Sequence, residues 1–159
     1  MEDRFLFRGK RIDNGEWVQG VPSYGEDGKI EEIEVWDGED ITFYSVFPGT
    51  ICQCTGLNDK NGKLIWENDI VELFGYRGTI KYVCGGFGIG YRENIDWEEI
   101  QANIVRVTGC ENILYACEND NYISLWEIYW NFNDEEDSVN TVEVIGNKFD
   151  NPELLESEE

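Results

Sequence analysis

Three groups of residues in this chain have the chemistry that sites are built from, and their spacing decides how each is read. The five cysteines, Cys52, Cys54, Cys84, Cys110 and Cys117, invite a zinc reading. Zinc knuckles need two C-x₂₋₄-C pairs, and the only close pair here is Cys52-Gln53-Cys54. Strand alternation puts those two on one face, where a free thiol packs as a small apolar group. The run Gly85-Gly86-Phe87-Gly88-Ile89-Gly90 invites a phosphate-loop reading. A dinucleotide loop turns from a strand into a helix, and a P-loop carries a lysine. Here Phe87, Ile89 and Tyr91 alternate with Gly86, Gly88 and Gly90, the period of a strand with one apolar and one glycine face. Such glycines permit close approach of another strand or ring. The third group is the 34 carboxylates, which stand in a chain without histidine. Missing histidine removes the commonest general base and metal ligand, and with them serine and cysteine triads and zinc-deaminase chemistry. Among so many acids close pairs arise by chance, so no spacing singles out a catalytic pair. The sequence nominates no catalytic, cofactor-binding or metal-ligating residue.

Composition bounds what remains. The chain has 159 residues, is 41% hydrophobic and carries six Trp, eight Tyr and eight Phe, enough apolar surface to fold. Its net charge is −22, unevenly spread. Residues 1–92 hold 16 acids and 10 bases, whereas 93–159 hold 18 acids against Arg106 and Lys148 alone. That field repels phosphate backbones and anionic membranes, and attracts basic partners. No stretch reaches the ~18 apolar residues needed to span a bilayer. The opening Met1–Arg11 starts acidic and lacks a signal-peptide core. An odd number of cysteines without scaffold spacing fits reduced thiols, so the expected location is cytoplasmic.

The elements that must position these residues are mostly strands. Alternation predicts strands over Arg4–Arg8, Trp17–Val21, Ile30–Trp36, Ile41–Phe47 and Thr50–Thr55, with turns at Asp13–Gly15 and Gly25–Gly28. A hairpin loop at Asn58–Lys63 centres on Asn61-Gly62. Strands at Ile70–Phe74, Thr79–Val83 and Phe87–Arg92 follow, joined by turns at Gly75–Gly78 and Cys84–Gly86, a meander of the kind that curls into a small SH3-like barrel. Glu93–Asn103 reads as a short helix or a charged loop, and Ile104–Gly109 as a strand. Tyr122, Leu125, Trp126, Tyr129 and Phe132 fall at helical spacing within Asn121–Asn133, with apolar residues on both faces, which predicts a helix buried on two sides. Asp134–Asp137 is an acidic loop. Thr141–Ile145 is a strand, Gly146-Asn147 a turn, and Pro152 opens a terminal helix. The expected class is mainly β with one or two short helices. It forms one domain over 1–159, with a weak division into lobes 1–56 and 57–159.

The stretch Gln53-Cys54-Thr55-Gly56-Leu57-Asn58-Asp59-Lys60-Asn61-Gly62-Lys63-Leu64-Ile65-Trp66-Glu67-Asn68-Asp69-Ile70-Val71 resembles the signature of the YopX family of phage and prophage proteins. So do the ending Glu143–Leu155 and the opening segments Arg4–Lys10 and Gly15–Gly20. Cys54 stands where the family usually has tyrosine, Asn68 where it has glycine, and Lys148 where it has an apolar residue. Asn68 tolerates a left-handed turn, so the turn is expected to survive. The region Glu93–Val139 has no counterpart in these motifs. The resemblance implies phage origin, a mostly β fold and the cytoplasm of an infected host. It brings no activity and no catalytic residues. Read physically, Asp59–Lys63 form a tight charged turn and Asp69 pins the strand that follows.

These readings favour binding over catalysis. The expectation is a phage accessory protein that contacts a basic or nucleic-acid-binding host protein through its acidic second half, in its sharpest form as a DNA mimic. Two alternatives stand beside it. One is a metal-dependent hydrolase built on carboxylates. The other is a structural role, with self-association through the helix around Trp126.

Overall fold

A computed structural model describes residues 2–83, 85–92, 95–108, 121–132, 138–139 and 141–156. Cys84, Cys110, Cys117 and the Asp134–Asp137 loop lie outside these described residues. The chain divides into two compact units, Met1–Gly56 and Leu57–Glu159.

The first unit is a run of antiparallel hairpins: β1 (Phe7–Lys10), β2 (Trp17–Tyr24), β3 (Ile30–Trp36) and β4 (Ile41–Ser45). Each hairpin is closed by the same device, an Asn or Asp side chain that accepts the backbone N–H two residues on. Asn14 accepts from Glu16, Asp27 from Lys29 and Asp37 from Glu39, each within 3.0 Å. Gly15, Gly28 and Gly38 supply the left-handed residue at each turn. On the far side of β1, Cys52 and Gln53 of β5 (Cys52–Asp59) pair with Arg8 and Phe7. The end of β4 also returns to the end of β1: Ile12 N–H donates to Ser45 C=O at 3.0 Å and Phe47 N–H to Lys10 C=O at 2.8 Å. Only the single bridge Arg11–Val46 marks this approach, so it is no continuous ladder. Val46 fills the space over Gly9, where an added Cβ would lie 2.9 Å from the Val46 Cβ. Among the described residues, Ile33, Val46, Cys52 and Cys54 are the buried apolar side chains of this unit.

One expectation fails here. Glu2–Phe5 is a 3-10 turn and the strand begins only at Phe7, leaving Phe5 exposed. Alternation in a short terminal segment is weak, because β1 finds its pairing partners only from Phe7 onward.

The second unit is built on an antiparallel ladder in the order β10–β9–β8–β7–β12. Its strands are β7 (Asp69–Leu73), β8 (Tyr76–Val83), β9 (Gly86–Gly90), β10 (Tyr122–Ser124) and β12 (Glu143–Asn147); β6 (Leu64–Trp66) pairs with β5. The two-residue turn Phe74-Gly75 has positive φ at both positions, the primed geometry that matches strand twist. Ser138 and Val139, which form β11, run parallel to Asn58 and Asp59. Among the described residues no pairing joins β10 to β12, so the ladder keeps two edges where a small SH3-like barrel was expected.

Two helices pack on this ladder, α1 (Trp97–Thr108) and α2 (Leu125–Phe132). Asp96 caps α1 by accepting the Glu99 N–H at 3.0 Å, and Ile100 and Ile104, one turn apart, are fully buried. The strand expected from Ile104 is therefore helix, because a cap and a buried i, i+4 pair outweigh the β preference of Ile104-Val105-Arg106-Val107. The helix expected from Asn121 starts only at Leu125, since Tyr122–Ser124 pairs with β9 as a strand. Nor is α2 covered all round: Leu125 and Ile128 are buried while Trp126 is mostly exposed. Ile80, Ile89, Ile100, Ile104, Ile123, Leu125 and Ile128 belong to one core.

The glycine run is a strand, as its period of two predicts. A Cβ on Gly88 would meet the Tyr122 ring at 2.2 Å and the Ile123 carbonyl oxygen at 2.5 Å. Glycine is thus what lets β10 lie close on β9. Gly88→Ala is expected to destabilise this unit by about 1–3 kcal/mol, because backbone cannot move aside as a flexible side chain would. Urea unfolding measures it, and an unchanged midpoint would refute the close approach.

Tyr91, just after this strand, lies in the core edge-on to Trp97 at 6.0 Å, and burial pushes its hydroxyl well above the ordinary value of 10.0. The unfolded tyrosine therefore ionises first as pH rises. The stability tied to its neutral form is complete below about pH 10 and is lost as pH climbs toward the folded value. Thermal melts of wild type and Tyr91→Phe should diverge above pH 10, with the wild type falling faster. Parallel curves would refute the assignment.

Candidate functional site

The residues with the strongest motif spacing turn out to hold the backbone together. Asp59 and Asp69 are the buried charged side chains among the described residues, each 1% exposed. Asp59 Oδ1 accepts the N–H groups of Asn61 and Lys63, and its Oδ2 accepts that of Val144, all at 2.9 Å. Asp69 Oδ2 accepts the Trp66 N–H at 2.9 Å. Asn68 sits at φ +67° and bridges strands: its N–H donates to Ile80 and its carbonyl accepts from Lys148. Cys52 and Cys54 share a face and are fully buried; Cys52 Sγ lies 3.2 Å from the Thr50 carbonyl oxygen. Among the described residues, no three acid or cysteine side chains stand where they would hold a metal ion.

What reaches solvent is a different set. On the sheet of the first unit, Val21, Glu34 and Phe43 lie opposite one another across β2, β3 and β4, and Trp36 lies opposite Ile41. Opposed residues share a face, so these side chains stand together on one side. Trp36 is 73% exposed, Ile41 58%, Val21 53% and Phe43 52%. Beside them runs a shallow groove of about 480 Å³ lined by Leu6, Gln19, Val21, Glu34, Trp36 and Ile41 among others. Large apolar side chains exposed singly are ordinary, but a contiguous group marks a contact surface. Aromatic residues in particular dominate binding hot spots.

Acids flank this patch on its own face and at its turn: Glu32 and Glu34 on β3, then Asp37, Glu39 and Asp40 before β4. From Val21 to Phe47 the chain has eight acids and one base, Lys29, which pairs with Asp27 at 2.7 Å. The N–H groups of Asp40 and Glu39 hold the Asp37 carboxyl below its usual value, so the hairpin tip stays charged in mild acid. Sequence reasoning missed this site. Trp36, Ile41 and Phe43 read as ordinary strand residues, and alternation cannot say which face of a strand is covered. The signal that could have found it is the density of acids interleaved with these residues between Glu26 and Asp40.

Across both units the chain matches the family described as YopX protein, over residues 6–156. The chain belongs to the YopX family. YopX proteins are phage and prophage proteins, which gives this chain its setting. The signature around Asp59 and Asp69 is, in this YopX chain, a set of backbone clamps, with the roles expected for the charged turn and the pinned strand. Among solved structures, the crystal structure of protein EF1440 from Enterococcus faecalis aligns at 22% identity, over 94% of this chain and 96% of its own, with a TM-score of 0.44. No curated protein matches the chain.

Proposed function

We propose that this chain is a phage accessory protein that works by binding a host protein in the bacterial cytoplasm, without catalysis of its own. The observation that carries this reading is the exposed Val21–Trp36–Ile41–Phe43 patch inside an acidic border. An apolar centre supplies affinity, while the charged border selects basic partners and speeds encounter. The partner surface is therefore an apolar knob ringed by Lys and Arg. The second unit, whose meander resembles the strands of small SH3-like barrels, serves as scaffold. Capture from host lysate by wild type, Trp36→Glu and Trp126→Glu tests the reading. Both tryptophans are exposed, but only Trp36 belongs to the patch. A host protein held by wild type and Trp126→Glu and lost by Trp36→Glu supports it; equal capture by all three refutes it.

A second reading has its own observation, the 18 acids against two bases after residue 92. There the protein is a DNA mimic, and its partner should be displaced both by DNA and by salt.

A further inference from the structure

The same hairpin that carries the patch also ends the sheet of the first unit. The strand β4 is the last in its order, so among the described residues one side of it has no neighbouring strand. Bonding parity shows which backbone groups face outward. Val46 N–H donates to Glu31 C=O at 3.2 Å, and Asp37 N–H to Asp40 C=O at 3.2 Å. With the unbroken register Glu32–Ser45 to Trp36–Ile41, the bonded pairs are then Ile33–Tyr44 and Val35–Thr42. Ile41, Phe43 and Ser45 turn their N–H and C=O away from β3. Ser45 confirms this, since its carbonyl accepts from Ile12 outside the sheet. Beyond Ser45 the outward groups of Ile41 and Phe43 lie along an open edge, beside a notch of about 360 Å³ lined by Ile12, Asp13, Phe43, Tyr44 and Ser45.

Exposed edges in natural sheets are usually guarded by lysine, proline, a bulge or a covering segment. Ile41-Thr42-Phe43-Tyr44-Ser45 has no lysine, no proline and no shift of register. We infer that β4 is a strand-addition site, where an extended segment of the partner protein, alternating apolar and basic residues, pairs with Ile41 and Phe43. This deepens the proposed protein-binding function and rests on it. An added strand bonds through its backbone, while alternate side chains enter neighbouring pockets. On the outer face those side chains meet Ile41, Phe43 and Trp36, with Glu32 and Glu34 on the same face of β3 and Asp37, Glu39 and Asp40 in the adjoining turn. The same eight acids and one base disfavour a second copy of this chain, which would bring like charge against like.

The probe is a synthetic heptapeptide alternating lysine and valine, with its glutamate–valine counterpart as control, titrated into the full chain at low and high salt. Amide exchange resolved residue by residue should slow at Ile41 and Phe43 by about tenfold or more at saturation. The control peptide should not bind, and added salt should weaken the lysine peptide. Phe43→Pro removes the outward N–H and the ring, whereas Phe43→Ala removes only the ring. Strand addition predicts that the proline variant binds about tenfold worse than the alanine variant. Because proline can also disturb the fold, exchange at Ile41 and Phe43 in wild type decides independently. Binding with unaltered exchange at both amides overturns strand addition but leaves the binding patch standing. No binding of the lysine peptide also overturns strand addition. Failure of the broader reading looks different: Trp36→Glu would still capture every host protein that wild type does.

Discussion

Asp59→Ala should lower the stability of the second unit by about 3–5 kcal/mol, more than Gly88→Ala in the same unit. The carboxylate is 1% exposed and accepts three backbone N–H groups, from Asn61, Lys63 and Val144. Hydrogen bonds to a charged acceptor are about twice as strong as neutral ones, and a buried N–H left without a partner costs about 1–3 kcal/mol. Two of the three donors shape the Asn61-Gly62 turn; the third lies 85 residues away on β12. Alanine therefore loosens a local turn and a long-range strand together. The ion pair Lys60–Glu143 and the bond from Lys60 N–H to Val142 C=O cross the same junction and lose their alignment. Against a typical domain stability of about 5–15 kcal/mol, this is about a fifth of the total or more. Asp59→Asn keeps one acceptor oxygen but turns an amide NH₂ toward a donor, so it should fall between alanine and wild type. Urea unfolding followed by tryptophan fluorescence measures both variants. A midpoint for Asp59→Ala within error of wild type would show that the clamp contributes nothing.

Trp36→Glu should weaken host-partner binding by about thirtyfold or more while leaving the melting temperature within a few degrees of wild type. A tryptophan at the centre of an interface commonly contributes about 2 kcal/mol or more, and the glutamate adds a charge that must be desolvated on contact. The folded chain loses little, because Trp36 is 73% exposed at the end of β3. The control variant Trp126→Glu, at a residue 62% exposed that stacks on Tyr129 at 5.8 Å, should leave binding unchanged even where it lowers stability slightly. Raising ionic strength should reduce association with the wild type, since a border rich in acids acts mainly on encounter and is screened within about 10 Å at 0.1 M salt. Equal affinity of the two tryptophan variants for the captured partner would remove the patch from the interface.

Much of the local architecture could be read directly from residue order. Asn14, Asp27 and Asp37 each close a hairpin with a bond to a residue two positions on, a contact that needs no distant partner. The alternation of glycine with Phe87 and Ile89 could be read as a strand, and Asn68 as a left-handed turn, for the same reason. The readings that failed depend on neighbours far along the chain. Phe5 lies outside the strand pairing that starts at Phe7, Ile104 was drawn into a helix by core packing beside Ile100, and Tyr122 became a strand because β9 lay beside it. For Ile104 and Tyr122 local preference differs between the alternatives by about a few tenths of a kcal/mol, and one buried isoleucine outweighs that.

The sequence alone determined that this protein is acidic and mainly β, that its glycine run is no phosphate loop, and that its signature belongs to the YopX family. Those properties rest on composition and on spacing within a few residues. Only the tertiary structure decided that Asp59 reaches Val144, that Cys52 and Cys54 are sealed from solvent, and that Trp36, Ile41 and Phe43 are not. The period of a strand assigns side chains to two faces but leaves open which face is covered, and only the finished fold settles that. Histidine-based catalysis was excluded at the first reading. The exposed patch proposed to bind became visible only when the strands were paired.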